Sequence, residues 1–248
     1  MASKPMDGFQ LKKLMQAHPD AKLKDLVQQL LYEDIVNLRL APGSKLNVNQ
    51  LAATLGISRT PVVEAVGGLS DIGFVVSHPG VPGSFVLDLS LTDMINLYRV
   101  RDAIESEAAY LCAHHIDDRT VIELSDLADA FRDSVLRRDI RGMKETDMPF
   151  HRKIVDACGN PYIVQSYDLI LPKLIMYQAS MLEFVGKKES EENPWMPSVQ
   201  FNHIAVISAI RLRLPDLARQ AMAEHIANSL SFTSRSGDVA DPFQTLKK

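Results

Sequence analysis

The sequence predicts a mainly α-helical chain in two parts, a small N-terminal domain of short helices with one β-hairpin and a larger C-terminal bundle of antiparallel helices. Three observations carry this. Apolar residues recur at spacings of three and four along most of the 248 residues. The two β-prone runs, residues 74–77 and 84–87, lie close together and early. After residue 90 helical patterns follow one another across short breaks, with no further persuasive strand. The expected organisation is a mobile start over 1–20, the small domain over 21–89, the bundle over 90–235 and a mobile tail over 236–248.

Composition sets the outer limits. The chain is 46% hydrophobic and 23% charged, as in ordinary globular domains, and its formal net charge of −4 gives no global basic footprint. Cys112 and Cys158 are far apart in helical patterns and read as buried free thiols of a reducing compartment. No apolar run is long enough to span a bilayer, and the start lacks a signal-peptide layout. The expectation is a cytoplasmic protein with no membrane partner.

Taken in order, Leu26, Leu30, Leu31 and Ile35 mark a helix over 23–38, stopped by Ala41-Pro42-Gly43. A second short helix covers 48–55 and ends at Gly56 as a left-handed cap. Ser58 is placed as N-cap of a third, over 60–71, with Pro61 tolerated in its first turn. The runs at 74–77 and 84–87 then form a hairpin around Pro79-Gly80-Val81-Pro82-Gly83. Three short helices and a hairpin in under 70 residues make a winged helix-turn-helix, whose third helix is offered to the DNA major groove.

A long helix is expected to open over Ser90 to Asp93, with Asp93 in its first turn, and to run to about 115; further helices are expected at about 119–137, 141–158, 161–183, 196–211 and 216–232. Gly159-Asn160-Pro161 and Arg213-Leu214-Pro215 are the clearest breaks. Residues 186–197, with Lys187, Lys188, Glu189, Glu191 and Glu192, read as an exposed loop. His114 and His115 read as a helix end.

The bundle carries one chemical oddity. Asp147 and His151 lie four residues apart inside the apolar stripe Ile140, Met143, Phe150, Ile154 and Cys158, so both project inward. His203 lies in the stripe of Val199, Val206, Ile207 and Ile210, and His225 in that of Ala218, Ala221 and Met222. Buried without partners, these groups are costly. A divalent ion removes the cost, because carboxylate oxygen and neutral imidazole nitrogen are both good ligands. The competing reading is that each histidine is a core side chain bonded to a carbonyl, and periodicity alone does not show that the helices converge.

Two sets of motifs resemble known families. Pro42-Gly43-Ser44-Lys45-Leu46, Leu51-Ala52, Leu55-Gly56-Ile57-Ser58-Arg59-Thr60-Pro61-Val62, Gly73-Phe74-Val75 and Gly83-Ser84-Phe85-Val86 together resemble the DNA-binding domain of GntR-family transcription regulators. The run from Leu97 to Glu105, then Asp147, Phe150-His151, Gly159-Asn160-Pro161, His203 and His225, is similar to the FCD ligand-binding domain of the FadR subfamily. Six bundle helices, with none extra after the wing, look like that subfamily's VanR group.

The resemblance implies a DNA-binding regulator, expected to be a repressor and a homodimer, that binds a double-stranded operator and senses a small organic acid. The ligands it implies are Asp147, His151, His203 and His225, holding Zn²⁺ foremost, with Ni²⁺ or Mn²⁺ as alternatives. Arg101 is placed either against the far end of the acid or in a salt bridge with Glu105 at i, i+4. Ser58, Arg59, Thr60, His78 and Gly83 are the expected DNA contacts.

The chain departs from the GntR pattern on the third helix. A second Arg usual after the Pro-Val pair is Val63 here, followed by Glu64 and by Gly67-Gly68. Residues 25–90 hold three Lys/Arg against six Asp/Glu, a formal −3. Two further readings follow: an effector-binding regulator that reads DNA weakly, or a metalloenzyme on the same scaffold. The second lacks a motif supplying a general base.

Overall fold

The structure, a computed structural model, describes residues 6–187 and 195–235. Ten helices and three short strands are described. The winged domain contains α1 (Gly8–Ala17), α2 (Leu23–Val36), β1 (Lys45–Leu46), α3 (Val48–Leu55), α4 (Arg59–Asp71), β2 (Val75–His78) and β3 (Val81–Val86). The bundle contains α5 (Leu91–His115), α6 (Asp118–Leu136), α7 (Ile140–Ala157), α8 (Pro161–Lys187), α9 (Trp195–Arg211) and α10 (Pro215–Arg235). The mainly helical class and the two-part order agree with the sequence reading.

The stretch expected to be mobile at the start holds a helix. Asp7 accepts from the amides of Phe9 and Gln10, and the Gln10 side chain reaches back to the Asp7 amide, a reciprocal capping box. Leu11 and Met6 are buried, and the Met6 amide donates to Asp34 Oδ2, whose other oxygen takes Arg39 Nε at 2.5 Å. The helix thus closes over the buried Asp34 of α2 and its ion pair with the half-buried Arg39. It also changes the electrostatics. Residues 6–24 add four Lys (Lys12, Lys13, Lys22, Lys24) and two Asp (Asp7, Asp20), which brings the winged domain from −3 to −1.

β3 lies between β1 and β2, antiparallel to both, with Lys45 opposite Phe85 and Val75 opposite Val86. The hairpin is tighter than the sequence suggested. Pro79-Gly80 forms the turn, with Gly80 at φ 75°, and Val81, Pro82 and Gly83 belong to the strand. β1 escaped the sequence reading because two residues carry no periodicity. Gly56 takes the left-handed cap conformation as expected, at φ 67°. Ser58 stands at the N-cap of α4, but its side chain makes no capping bond, so the expected role of its hydroxyl is not seen.

In the bundle, α5 packs against α7, α8, α9 and α10, and α6 against α7 and α9. Pro149 and Pro172 sit inside α7 and α8. The expected loop over 186–197 lies largely outside the described residues; its two ends are helical, in α8 and α9. The tail over 236–248 lies outside them entirely.

The two domains meet along α8. A Cβ built on Gly73, just past α4, would stand 3.3 Å from Pro172 Cγ. Tyr177 Oη accepts from the Ser90 amide at 3.1 Å and donates to the Ser90 carbonyl at 2.9 Å. Lys173 Nζ donates to Asp93 Oδ2 at 2.9 Å. The wing therefore runs straight into α5 at a junction pinned from α8.

Candidate metal centre and DNA-reading face

Asp147 and His151 project from one face of α7, His203 from α9 and His225 from α10. Their stripes do converge: one ligand atom from each lies within 4.8 Å of the other three. His151 Nε2 is 3.0 Å from His225 Nε2 and 3.4 Å from His203 Nε2. Asp147 Oδ1 is 3.2 Å from His203 Nε2 and 3.8 Å from His151 Nε2. Bonds of about 2.0–2.1 Å to a single ion put neighbouring ligand atoms roughly 3.0–3.4 Å apart; three of these separations fall in that range, and the 3.8 Å from Asp147 to His151 lies beyond it. Carbonyl-bonded core histidines do not describe the site: among the described residues the Nδ1 atoms of His203 and His225 have no hydrogen-bond partner, and the three Nε2 atoms face one another.

The surroundings favour metal-binding protonation states. Burial pushes the His203 and His225 imidazoles below their ordinary value, and for His225 the neighbouring His203 and His151 add to the effect. Burial opposes the Asp147 charge, but its hydrogen bond with His203, with the Arg101 guanidinium adding to it, holds its carboxyl well below the usual range. With His203 and His225 disfavoured as cations and Asp147 ionised, these three are in the forms that donate to a cation.

A ring of supporting groups surrounds the four. Gln178 Nε2 donates to Asp147 Oδ2 at 2.6 Å. Glu105 Oε2 lies 2.6 Å from His151 Nδ1, a close charge contact whose alignment is not that of a hydrogen bond. Glu105 Oε1 accepts from Arg101 Nε at 2.7 Å. Both members of that pair are buried. Burial opposes the Glu105 charge, yet Arg101 and His151 outweigh it and hold the carboxyl below its ordinary value. Of the two readings of Arg101, the salt bridge is present, but it occupies only Nε. Among the described residues, Arg101 Nη2 and the buried Tyr167 Oη have no hydrogen-bond partner.

In the winged domain, Val62, Ala65, Val66 and Leu69 turn α4 inward. Ser58, Arg59 and Thr60 are exposed at its start. His78 and Gly83 are exposed on the hairpin, His78 packing against Phe85 with ring centroids 4.9 Å apart. The hairpin holds one group that sequence reasoning missed. Lys45 lies along it, Nζ 5.7 Å from the Phe85 ring centroid, and a Cβ on Gly83 would meet Lys45 Cε at 2.6 Å. Gly83, at φ 121°, is fixed by its backbone conformation, and the Lys45 side chain lies over it.

Comparison with known proteins matches these two halves separately. The family described as "Bacterial regulatory proteins, gntR family" matches residues 23–86, and "FCD domain" matches residues 96–228, more than half of the chain. The chain belongs to the GntR family of transcription regulators and carries an FCD domain. Among relatives, a "Probable D-xylose utilization operon transcriptional repressor" of Paenarthrobacter nicotinovorans is 25% identical over 87% of this chain and 90% of its own. The "HTH-type transcriptional repressor RspR" of Escherichia coli is 23% identical over 85% and 89%. The fold is shared with E. coli McbR/YncC (TM-score 0.68, 18% identity, 88% of this chain and 99% of that one). It is shared too with a GntR regulator from Rhodococcus sp. RHA1 (TM-score 0.64, 19% identity, 88% and 99%).

As a GntR regulator the protein binds DNA and is not an enzyme, which removes the metalloenzyme alternative. No helix among the described residues is long and apolar enough to cross a membrane. The supporting roles of Glu105 and Gln178 escaped the sequence reading. Glu105 was visible only as an i, i+4 partner of Arg101, and nothing in a linear pattern assigns Gln178 to Asp147 on α7.

Proposed function

We propose that this GntR regulator is a homodimeric repressor whose operator binding is controlled by a small organic acid taken up beside a divalent metal held by Asp147, His151, His203 and His225. The observation that carries the reading is the convergence of one carboxylate oxygen and three imidazole nitrogens within 4.8 Å. Three imidazoles and a carboxylate suit Zn²⁺, with Ni²⁺ or Mn²⁺ close behind. Bound there, the ion supplies positive charge and open coordination positions for an acid's carboxylate or hydroxyl.

Arg101 supports the choice of an acid. Its Nε is spent on Glu105, which fixes the guanidinium, while Nη2 remains to meet a second carboxylate or hydroxyl oxygen. The buried Tyr167 Oη is a second group with no hydrogen-bond partner among the described residues. The repressor names of the relatives support the sign of regulation.

Coupling to DNA runs along α8 in this reading. Gln178 holds Asp147, and the adjacent Tyr177 holds Ser90, where the wing joins the bundle. A ligand that shifts Asp147 relative to α8 acts on the junction that orients the winged domain. It does so only by favouring one arrangement over another. Ser58, Arg59 and Thr60 at the start of α4, with Lys45, His78 and Gly83 on the wing, are the proposed contacts, and two copies would meet two half-sites.

The test uses metal-loaded protein. A thermal-shift screen of small mono-, di- and hydroxycarboxylic acids should find stabilising ligands, and those ligands should change operator affinity. Sedimentation should give a dimer at micromolar concentration. Acids that stabilise the protein without moving DNA affinity would contradict the regulatory reading, and a monomer would contradict the dimer.

A further inference from the structure

The outward face of α4 carries Arg59, Thr60, Val63, Glu64 and Gly67, all exposed. Arg59, Val63 and Gly67 follow at i, i+4 and i+8, so they form one stripe along the helix. Val63 leaves 51% of its surface in solvent. Neither folding nor solubility accounts for it: a β-branched residue on an exposed helix face is a poor helix former and buries little there.

The paired glycines separate into two cases. A Cβ on Gly68 would fall 2.2 Å from Gln28 Oε1 on α2, so Gly68 faces a neighbouring side chain that would have to move aside for it. Around Gly67 nothing lies within 4 Å of such a Cβ. A glycine inside a helix is destabilising relative to Ala. Here the fold gains nothing in return, and what the missing side chain provides is close approach from outside.

We propose that Val63 is a base-reading residue that packs on the C5-methyl group of a thymine in the major groove, and that Gly67 lets α4 lie close enough for it to do so. The proposal rests on the reading of α4 as the groove helix. Apolar contact is the means by which a side chain singles out thymine, since the methyl group is the one apolar feature among the unmodified base edges in that groove. Arg59, one turn earlier on the stripe, would take guanine with its fork. Val63 offers no charge to phosphate, so its contribution is to sequence choice rather than to general affinity.

The experiment starts by selecting binding sites for the full chain from a randomised double-stranded DNA pool. Each thymine of the selected site is then replaced singly by deoxyuridine, which pairs alike and lacks the methyl. At one thymine per half-site, affinity should fall about four-fold, the value of one buried methyl group. Val63→Ala should bind the thymine site more weakly and no longer distinguish it from the uracil site. Val63→Arg, put through the same selection, should replace that thymine in its preferred site. Gly67→Ala should keep or raise the melting temperature while weakening binding.

If no uracil replacement matters, or if Val63→Ala keeps the same sensitivity, the assignment of Val63 is overturned. Arg59→Ala distinguishes this from failure of the wider reading: loss of binding in that variant keeps α4 as the reader even where Val63 fails. A pool that yields no enriched sequence, or an Arg59→Ala variant that binds like wild type, overturns both.

Discussion

Gln178 donates to Asp147 from α8, at 2.6 Å, on the oxygen that does not face the imidazoles. Asp147 is thereby held in one orientation, with Oδ1 turned to His203. Supporting hydrogen bonds of this kind typically change metal affinity by about 10- to 100-fold when removed. Gln178→Ala should therefore weaken metal binding on that scale with little loss of fold, because no carboxylate or imidazole of the cluster is removed. Competition with a chelator of known affinity measures it. An unchanged metal affinity would show that the bond does not position Asp147.

Glu105 predicts a different phenotype. It neutralises a buried Arg101 and lies against His151, so Glu105→Ala leaves a guanidinium uncompensated in the core. Breaking a buried pair in this way costs about 3–5 kcal/mol. Denaturant unfolding of metal-free protein should show that loss. A loss within experimental error would mean that Arg101 finds another partner, and that the pair does not fix its orientation.

The same cluster predicts acid sensitivity without metal. His203 and His225 are held below their ordinary value near 6.5, so between that value and their lower folded values the unfolded chain binds more protons. Stability is then full above about pH 6.5 and declines as pH falls. Asp147 and Glu105, also held low, extend the decline below the ordinary carboxylate range near pH 4. Chelator-treated protein should melt at progressively lower temperature from pH 7.5 to pH 5.5. A flat profile over that window would contradict neutral, buried imidazoles.

Much of the bundle was legible because its helices are long and their breaks are chemically sharp. Gly159-Asn160-Pro161 between α7 and α8, with Gly159 at φ 72°, is read correctly from residue types alone. Asp147, His151, His203 and His225 stood out because each interrupts an apolar stripe, and an inward polar residue needs a partner. What periodicity could not supply was their convergence, since three helices at separate places in the chain fix it jointly. Glu105 and Gln178 were illegible for the related reason that a supporting residue matters only through the ligand it touches. α1 was missed because Pro5, Gly8 and Pro19 suggested a loose segment. Its capping box and the buried Leu11 become meaningful only once α2 and α3 stand beside it.

The central claim is that Asp147, His151, His203 and His225 hold one divalent ion per chain. The most direct measurement is elemental analysis of gently purified protein, paired with melting temperatures before and after chelation, for wild type and His203→Ala. The account predicts about one equivalent of a first-row divalent metal in wild type, a lower melting temperature on chelation that added metal restores, and little metal and no chelator response in His203→Ala. Wild-type protein that holds no metal and melts at the same temperature with and without chelator would contradict it.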